Sequence, residues 1–324
     1  MSNITTDELS LYDRQIRLWG FDAQKRILTA RVLFIGVNQL IMESAKNLVL
    51  GGLGKISLID SNIVKDSDLQ ELYILDSSAI GLKKDIAMSK ALSGFNPTIS
   101  IITDEIGSTL DISFMASFDI VVATNLSIDK QIELNEICRL SKTKFVSSNM
   151  LGLYGFIFCD LIEHHYVLET KEKNVLNPDE IITKNQEFKE IHCPLKTSIT
   201  HKFESMSKRK LNRLVSPLYF ILLAYNKIIE NSKLSIDSQE LFALLQKEVN
   251  DLLVSNNVSD DFVTESAIRD FIANSSNNVT AATSILGGIL AQEIIKIVSG
   301  KNLPISNWLI FNALESDALI HNIK

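Results

Sequence analysis

Cysteine is scarce in this chain of 324 residues: Cys138, Cys159 and Cys193 stand far apart, with no paired spacing for zinc and no framework for disulfides. That points to a reducing compartment. The histidines His164, His165, His192, His201 and His321 form no ligand spacing such as His-x-x-x-His, so no metal site is expected. Basic residues are in deficit. A formal charge of −7 argues against a broad nucleic-acid surface, and no nucleic-acid partner is expected. The most apolar late segment, Ala281 to Ile297, is interrupted by Gln292, Glu293 and Lys296, so it reads as a buried helix and no membrane partner is expected. The polar, acidic opening MSNITTDELSLYD has no signal-peptide character. No internal repeat is visible. With 46% hydrophobic and 22% charged residues, the composition is that of an ordinary globular protein with a substantial core. The length suits one large α/β domain or two smaller ones.

What is present is organised around Arg31 to Asp60, RVLFIGVNQLIMESAKNLVLGGLGKISLID. The short continuous apolar run RVLFIG reads as a strand buried on both faces. A helix-length segment comes next, apolar at Leu40, Ala45, Leu48 and Val49, then the turn Gly51-Gly52-Leu53-Gly54 and a second strand ending in Asp60. This is a βαβ unit of the kind that opens a nucleotide-binding sheet. A working site needs glycines in the first turn, for close approach of phosphate to the helix N-terminus, and an acid after the second strand for the ribose. Gly36 and Asp60 are in place. The rest of the turn, Val37-Asn38-Gln39-Leu40-Ile41, has no further glycine, and a side chain at Asn38 or Ile41 would occupy the space that phosphate or close helix packing needs. The pattern is a nucleotide-binding scaffold with a degraded pocket.

Strands and helices alternate beyond Asp60. A helix over 82–93 ends at Gly94-Phe95-Asn96-Pro97, strands are predicted at 98–103, 118–125 and 143–149, and a helix at 133–140. The fold class is therefore α/β, a doubly wound, mostly parallel Rossmann-like sheet. Antiparallel-looking segments lie at 153–161 and 164–170. Residues 171–190 are charged and weakly patterned, and read as a linker or surface excursion. From about 203 to 272 the chain is mostly helical, 280–299 is a helix with small residues at Ala281, Ala282, Gly287 and Gly288, and 307–314 is a closing strand. Three parts are expected: an arm and sheet core over 1–170, a linker and helical insertion over 171–272, and a helix and strand returning to the core over 273–324.

Residues 7–30 read as a helical arm with Tyr12, Ile16, Leu18 and Trp19 among Arg14, Arg17, Lys25 and Arg26. On composition alone this is a solvated helix face whose aromatics pack on the sheet. The segment LYDRQIRLWGFDAQKRI at 11–27 resembles the opening of the ubiquitin-like-modifier activating enzymes of the ThiF/MoeB superfamily, with their Tyr-x-Arg-Gln arm. SILGGILAQEIIKIVSGKNLPISNWLIFNAL at 284–314 resembles that family's crossover helix and following strand. Within the superfamily, TKFVSSNMLGLYGFIFCDL at 143–161 and Cys193-Pro194-Leu195-Lys196 are similar to the smaller, Aos-type subunits of SUMO-activating enzymes, and so is the overall length.

The resemblance implies ATP-dependent adenylation of a modifier's C-terminal carboxylate, followed by transfer to a cysteine. It also implies a glycine-rich turn, a ribose acid, an Asn-Leu-x-Arg-Gln segment, a lysine shortly after a glycine and an Asp-Asn pair after the fourth strand. Here the turn is reduced to Gly36, the arginine of that segment is replaced by Glu71 in Asp68-Leu69-Gln70-Glu71-Leu72, and the magnesium-holding acid is replaced by Leu126. A carboxylate near a triphosphate has the wrong sign, and leucine cannot ligate a hard cation. Gly36, Asp60 and Lys84 remain as a vestigial nucleotide pocket; equally, Asp60 could cap its own turn and Lys84 could lie on a solvated helix face. In the family the arm's arginine crosses into the partner's ATP site, which by motif position is Arg14, with Arg17 a weaker candidate.

Taken with those losses, the resemblance implies a non-thioester-forming subunit whose isolated chain is inactive. ATP and magnesium would be bound mainly by a thioester-bearing, Uba-type catalytic partner in a heterodimer, and the modifier would be SUMO-like. Nucleus and cytoplasm are the expected locations. Cys193, though it follows His192, matches a non-catalytic Cys-Pro of the family, and Cys138 and Cys159 fall in core patterns. The alternatives are a homodimeric adenylyltransferase of a sulfur-carrier protein, a Nedd-type small subunit, a nicotinamide-dependent oxidoreductase lacking its glycines, and a scaffold in which Arg14 is idle.

Overall fold

The structure, a computed structural model, describes residues 10–103, 109–173, 181–204, 206–231, 238–276 and 278–323. Its strands are β1 (Arg31–Ile35), β2 (Lys55–Ile59), β3 (Ser100–Thr103), β4 (Ile120–Ala123), β5 (Lys144–Leu151), β6 (Tyr154–Asp160), β7 (Glu163–Lys173), β8 (Ile181–Ile191), β9 (Trp308–Asn312) and β10 (Asp317–His321). Eight of them form one sheet in the order β10-β9-β6-β5-β4-β1-β2-β3. The half from β3 to β5 is parallel; β6, β9 and β10 are added antiparallel. The expected doubly wound sheet is thus present, with an antiparallel extension at one edge.

Alternate residues of the strands feed two cores, as a period of two requires. Val32, Phe34, Ile120, Val122, Ile157 and Cys159 belong to one cluster, and Leu33, Ile35, Val121, Ala123, Phe156 and Phe158 to the other. The first is covered by the arm helices α1 (Asp13–Trp19) and α2 (Phe21–Thr29), by α3 (Gln39–Leu50), and, beyond the short α4 (Asp68–Glu71), by α5 (Lys84–Ser93). The second lies under α6 (Ile112–Met115) and α7 (Ile128–Ser141), then under α8 (Leu195–Ile199), α9 (Lys208–Leu214), α10 (Pro217–Asn231), α11 (Ser238–Ser255) and α12 (Glu265–Asn274). Tyr219, Phe220 and Phe271 are fully buried there.

The last helix, α13 (Thr280–Ser299), returns to the first face and crosses α3. It is long and apolar enough to cross a membrane by length and composition, yet Leu286, Leu290 and Ile294 are fully buried in the first core. Gly287 sits at the crossing: a Cβ there would lie 2.6 Å from the Glu43 Cβ. Glu43 in turn accepts from Lys46 at 2.6 Å, Tyr73 Oη at 2.6 Å and Ser284 Oγ at 3.0 Å, which ties the two helices together. At the far end of α13, Arg26 and Lys144 donate to the Ser299 and Ile297 carbonyls, so these cations neutralise a helix C-terminus.

Three expectations change. Among the described residues the arm is not one continuous helix: it breaks at Gly20, whose φ is +88°, between α1 and α2. Residues 181–190, expected as a linker or surface excursion, are a strand: β8 pairs antiparallel with β7 along its whole length. Residues 184–189 are exposed, so no alternation of apolar and polar residues was needed. Residues 174–180, and residues 1–9 at the start of the arm, lie outside the described residues. The edge strand β10 was not expected at all.

Candidate functional site

In an open α/β sheet, ligands bind beyond the carboxyl ends of the strands where the winding reverses, here between β1 and β4. Gly36 occupies that place with a φ of +93°, and a Cβ on it would lie 2.6 Å from the Thr124 carbonyl oxygen. The glycine is therefore demanded by the chain's own packing. The next residues close the turn with internal hydrogen bonds. Val37 N–H donates to Asp60 Oδ2 at 2.7 Å. Asn38 caps α3: its Oδ1 accepts from Ile41 N–H at 3.0 Å while its amide donates to Thr124 Oγ1 at 2.9 Å. Two of the N–H groups at the mouth of this turn, those of Val37 and Ile41, are thus met from within.

Asp60 is 8% exposed, and its second oxygen accepts from the Asn62 backbone N–H at 2.9 Å and the Asn62 amide at 2.7 Å. The carboxylate caps its own turn, and both oxygens are engaged. Lys84 does not lie on a solvated face. It is half-buried and donates to Asp68 Oδ1 at 3.0 Å. Burial pushes the Asp68 carboxyl up, but the Lys65 backbone N–H and the Lys84 ammonium more than offset this and hold it below the ordinary carboxylate range. The lysine that would meet phosphate is bound to the first residue of the altered segment. Glu71, at the end of α4, is exposed, and Leu126 lines a crevice of about 310 Å³ with Asn125, Ser127, Asn149, Leu151, Tyr225 and Asn226. Among the described residues that line it there is no carboxylate. Among the described residues no group of three or more histidine, cysteine, aspartate or glutamate side chains could hold a metal ion. The donors and acceptors present do not fit a nucleotide triphosphate with magnesium.

The arm carries an exposed cation. Arg14 is exposed and, among the described residues, has no ion-pair or hydrogen-bond partner. Arg17 Nε bonds Asp13 Oδ2 at 2.9 Å, one turn back along the same helix. Leu11 and Leu18 flank them at 63% and 72% exposure. No hydrogen bond or ion pair among the described residues joins Arg14 or Arg17 to Gly36, Asp60 or Lys84. The arm and the turn are separate features of this chain.

The ThiF family model matches residues 12–324. This chain belongs to the ThiF family. It is 32% identical over 322 residues to the DNA damage tolerance protein rad31 of Schizosaccharomyces pombe, covering 99% of each chain. It is 29% identical to SUMO-activating enzyme subunit 1 of Xenopus tropicalis over 342 residues, covering 98% and 96% of the two chains, and 29% identical to the Homo sapiens protein of that name over 341 residues, covering 98% and 95%. The recognised resemblance and the ThiF fold are both borne out.

None of the cysteines in this ThiF-family chain is set up as a nucleophile. Burial pushes Cys138 to about 12, and Cys159 goes well above its ordinary value for the same reason. The Cys193 thiol donates to the Ile323 carbonyl at 3.0 Å, and burial, with the nearby Asp160 charge, raises it too. The neighbouring His192 is turned away: its Nδ1 meets the Cys159 carbonyl oxygen at 2.9 Å. The residue with an unexpected role is Asn38. In the sequence it reads only as an obstruction, although an asparagine three residues before Ile41 at the mouth of a helix is a capping signal.

Proposed function

We propose that this ThiF-family chain is the non-thioester-forming subunit of a heterodimeric SUMO-activating enzyme, pairing with a Uba-type catalytic subunit that binds ATP and magnesium. In this reading it supports adenylation of a SUMO-like modifier in the partner's site and lends Arg14 in trans. The observation that carries the reading is the turn after β1, where Asp60 and Asn38 accept from the Val37 and Ile41 N–H groups, in a chain similar over nearly its whole length to SUMO-activating enzyme subunit 1. Two further features support it. Arg14 is an exposed cation without a partner among the described residues, on an apolar-flanked arm, and no cysteine is activated.

The chemistry assigned to this chain is electrostatic. A guanidinium keeps its charge at any physiological pH and presents a fixed fork of donors to phosphate oxygens. Delivered from a rigid arm, it would stabilise charge on the polyphosphate as the modifier carboxylate attacks. ATP–pyrophosphate exchange tests this with three samples: the chain alone, the chain with a SUMO-type catalytic subunit, and the same pair carrying Arg14→Ala. Silence alone, activity in the pair and a loss of about 2–4 kcal/mol of transition-state stabilisation in the variant is the expected result. Exchange by the chain alone would restore the homodimeric adenylyltransferase.

A further inference from the structure

The ring of Tyr12 is the one fully buried side chain in the arm between residues 10 and 20, at 2% exposure, while α1 itself buries none. It rests on the Gly51-Gly52 turn at the end of α3. A Cβ on Gly52 would fall 2.4 Å from the ring, and Gly52 has a φ of +79°. The phenol oxygen accepts from Asn96 Nδ2 at 3.1 Å. That same amide donates to the Val49 carbonyl at 3.1 Å, and Asn96 Oδ1 accepts from Thr98 N–H and Oγ1 at 3.2 and 2.7 Å. One asparagine thereby fixes the socket to the end of α3 and to the approach to β3. The far end of α1 is held by Trp19, whose indole donates to Gln24 Oε1 at 2.9 Å and packs partly on the core.

We infer that Tyr12 is the positioning residue for Arg14: its ring, seated in the Gly52–Asn96 socket, aims the arm's guanidinium at the partner's ATP site. This rests on the trans-arginine function proposed above. Arg14 comes two residues after the anchored ring and lies within the first turn of α1. Among the described residues, no other side chain of that turn is fully buried, so the ring is its main hold on the sheet. Removing the ring frees the first turn and spreads the guanidinium over many positions, and a displacement of about 1 Å from the reacting geometry already costs on the order of 100-fold.

The test is a double-mutant cycle on ATP–pyrophosphate exchange by the reconstituted pair, with Tyr12→Ala, Arg14→Ala and the double variant, and with Tyr12→Phe as the conservative control. Subunit association and the melting temperature of the pair are measured alongside, so that a folding failure is seen as such. Arg14→Ala should lower the rate about 30- to 1000-fold. Tyr12→Ala should lower it by more than tenfold with the pair still assembled, and the double variant should fall no further than Arg14→Ala alone. Tyr12→Phe keeps the ring on Gly52 and should stay within about threefold of the wild-type rate. If Arg14→Ala is costly but the two losses multiply, Tyr12 only supports the fold and the inference is overturned. If Arg14→Ala is silent, the trans-arginine function itself fails, and the inference with it. If Tyr12→Ala prevents assembly, Tyr12→Leu replaces it in the cycle.

Discussion

Arg139 Nη1 donates to both oxygens of Asp160, at 2.7 and 2.8 Å, and this carboxylate is fully buried. Asn135 Nδ2 and the Ile162 N–H complete its coordination at 2.8 and 3.0 Å. Asn135 Oδ1 meanwhile accepts from Leu195 N–H at 2.8 Å, so the network pins α7 to β6 and to the start of the helical insertion. Removing one member of such a pair leaves an uncompensated buried charge. Arg139→Ala is expected to cost about 3–5 kcal/mol of unfolding free energy in a denaturant titration. The paired replacement of Arg139 and Asp160 by Met and Asn should cost less than Arg139→Ala alone.

Gly52→Ala should be among the most damaging single changes in the buried turn between α3 and β2. It forces an L-residue to a φ of +79° and drives a methyl group into the Tyr12 ring. The left-handed conformation costs about 1–2 kcal/mol and overpacking about 1–3 kcal/mol. In combination with Tyr12→Ala the clash disappears and only the backbone strain remains. Unfolding measurements on the two singles and the double should therefore be sub-additive.

Glu43 links stability to pH. Burial pushes its carboxyl up, but hydrogen bonds from Lys46, Tyr73 and Ser284 outweigh this and leave it below 4.5. A depressed folded-state pKa gives stability that is present above the unfolded value and lost as pH falls through the folded one. On the basic side, burial lowers Lys46, yet Glu43 and Tyr73 hold it above 10.5, so its share is complete below 10.5 and disappears only as pH rises beyond that. Thermal melts should therefore show Glu43→Gln losing about 1–3 kcal/mol at pH 7. The gap between variant and wild type should narrow below pH 4. A constant gap across that range would rule out Glu43 as the titrating group.

Cys193 should alkylate slowly in the native protein. Its thiol donates to Ile323, and its pKa is raised by burial and by Asp160, which leaves little thiolate at pH 7.5. Maleimide labelling of the native chain, read by mass spectrometry, should be slower than that of glutathione, and Cys193→Ser should leave thioester formation by the reconstituted pair intact. Loss of the thioester in that variant would place a nucleophile in this chain.

The vestigial pocket makes its own prediction. ATP with magnesium should not raise the melting temperature of the isolated chain. Lys84→Met should lower stability by up to about 1 kcal/mol, through the lost Asp68 ion pair, without altering exchange by the pair.

The parallel half of the sheet was legible because its strands are buried on both faces and read as apolar runs, RVLFI and IVVA being clear examples. The buried helix α13 and the glycine–proline stop after α5 were equally plain. The elements that sequence did not reveal share a physical cause, exposure. β10 is largely exposed and joined to the sheet along one side only, and residues 184–189 of β8 are exposed, so burial imposed no pattern on either. At the site, the loss of the glycines, the Glu71 reversal and Leu126 could be read residue by residue. The turn cap made by Asp60 could be read as well, but its bond from Val37 and the Asp68 partner of Lys84 could not, because they arise through tertiary packing. Lys84 in particular looked solvated because its ion pair spans sixteen positions of sequence.

Asn38 acts as a tethered competitor. Its Oδ1 already accepts from the Ile41 N–H at the helix terminus, at an effective concentration set by a covalent chain, which no free phosphate-bearing analogue matches at ordinary doses. A phosphate-bearing ATP analogue offered to the proposed pair would accordingly saturate at one molecule per two chains, with a hyperbolic isotherm and no second, weaker phase.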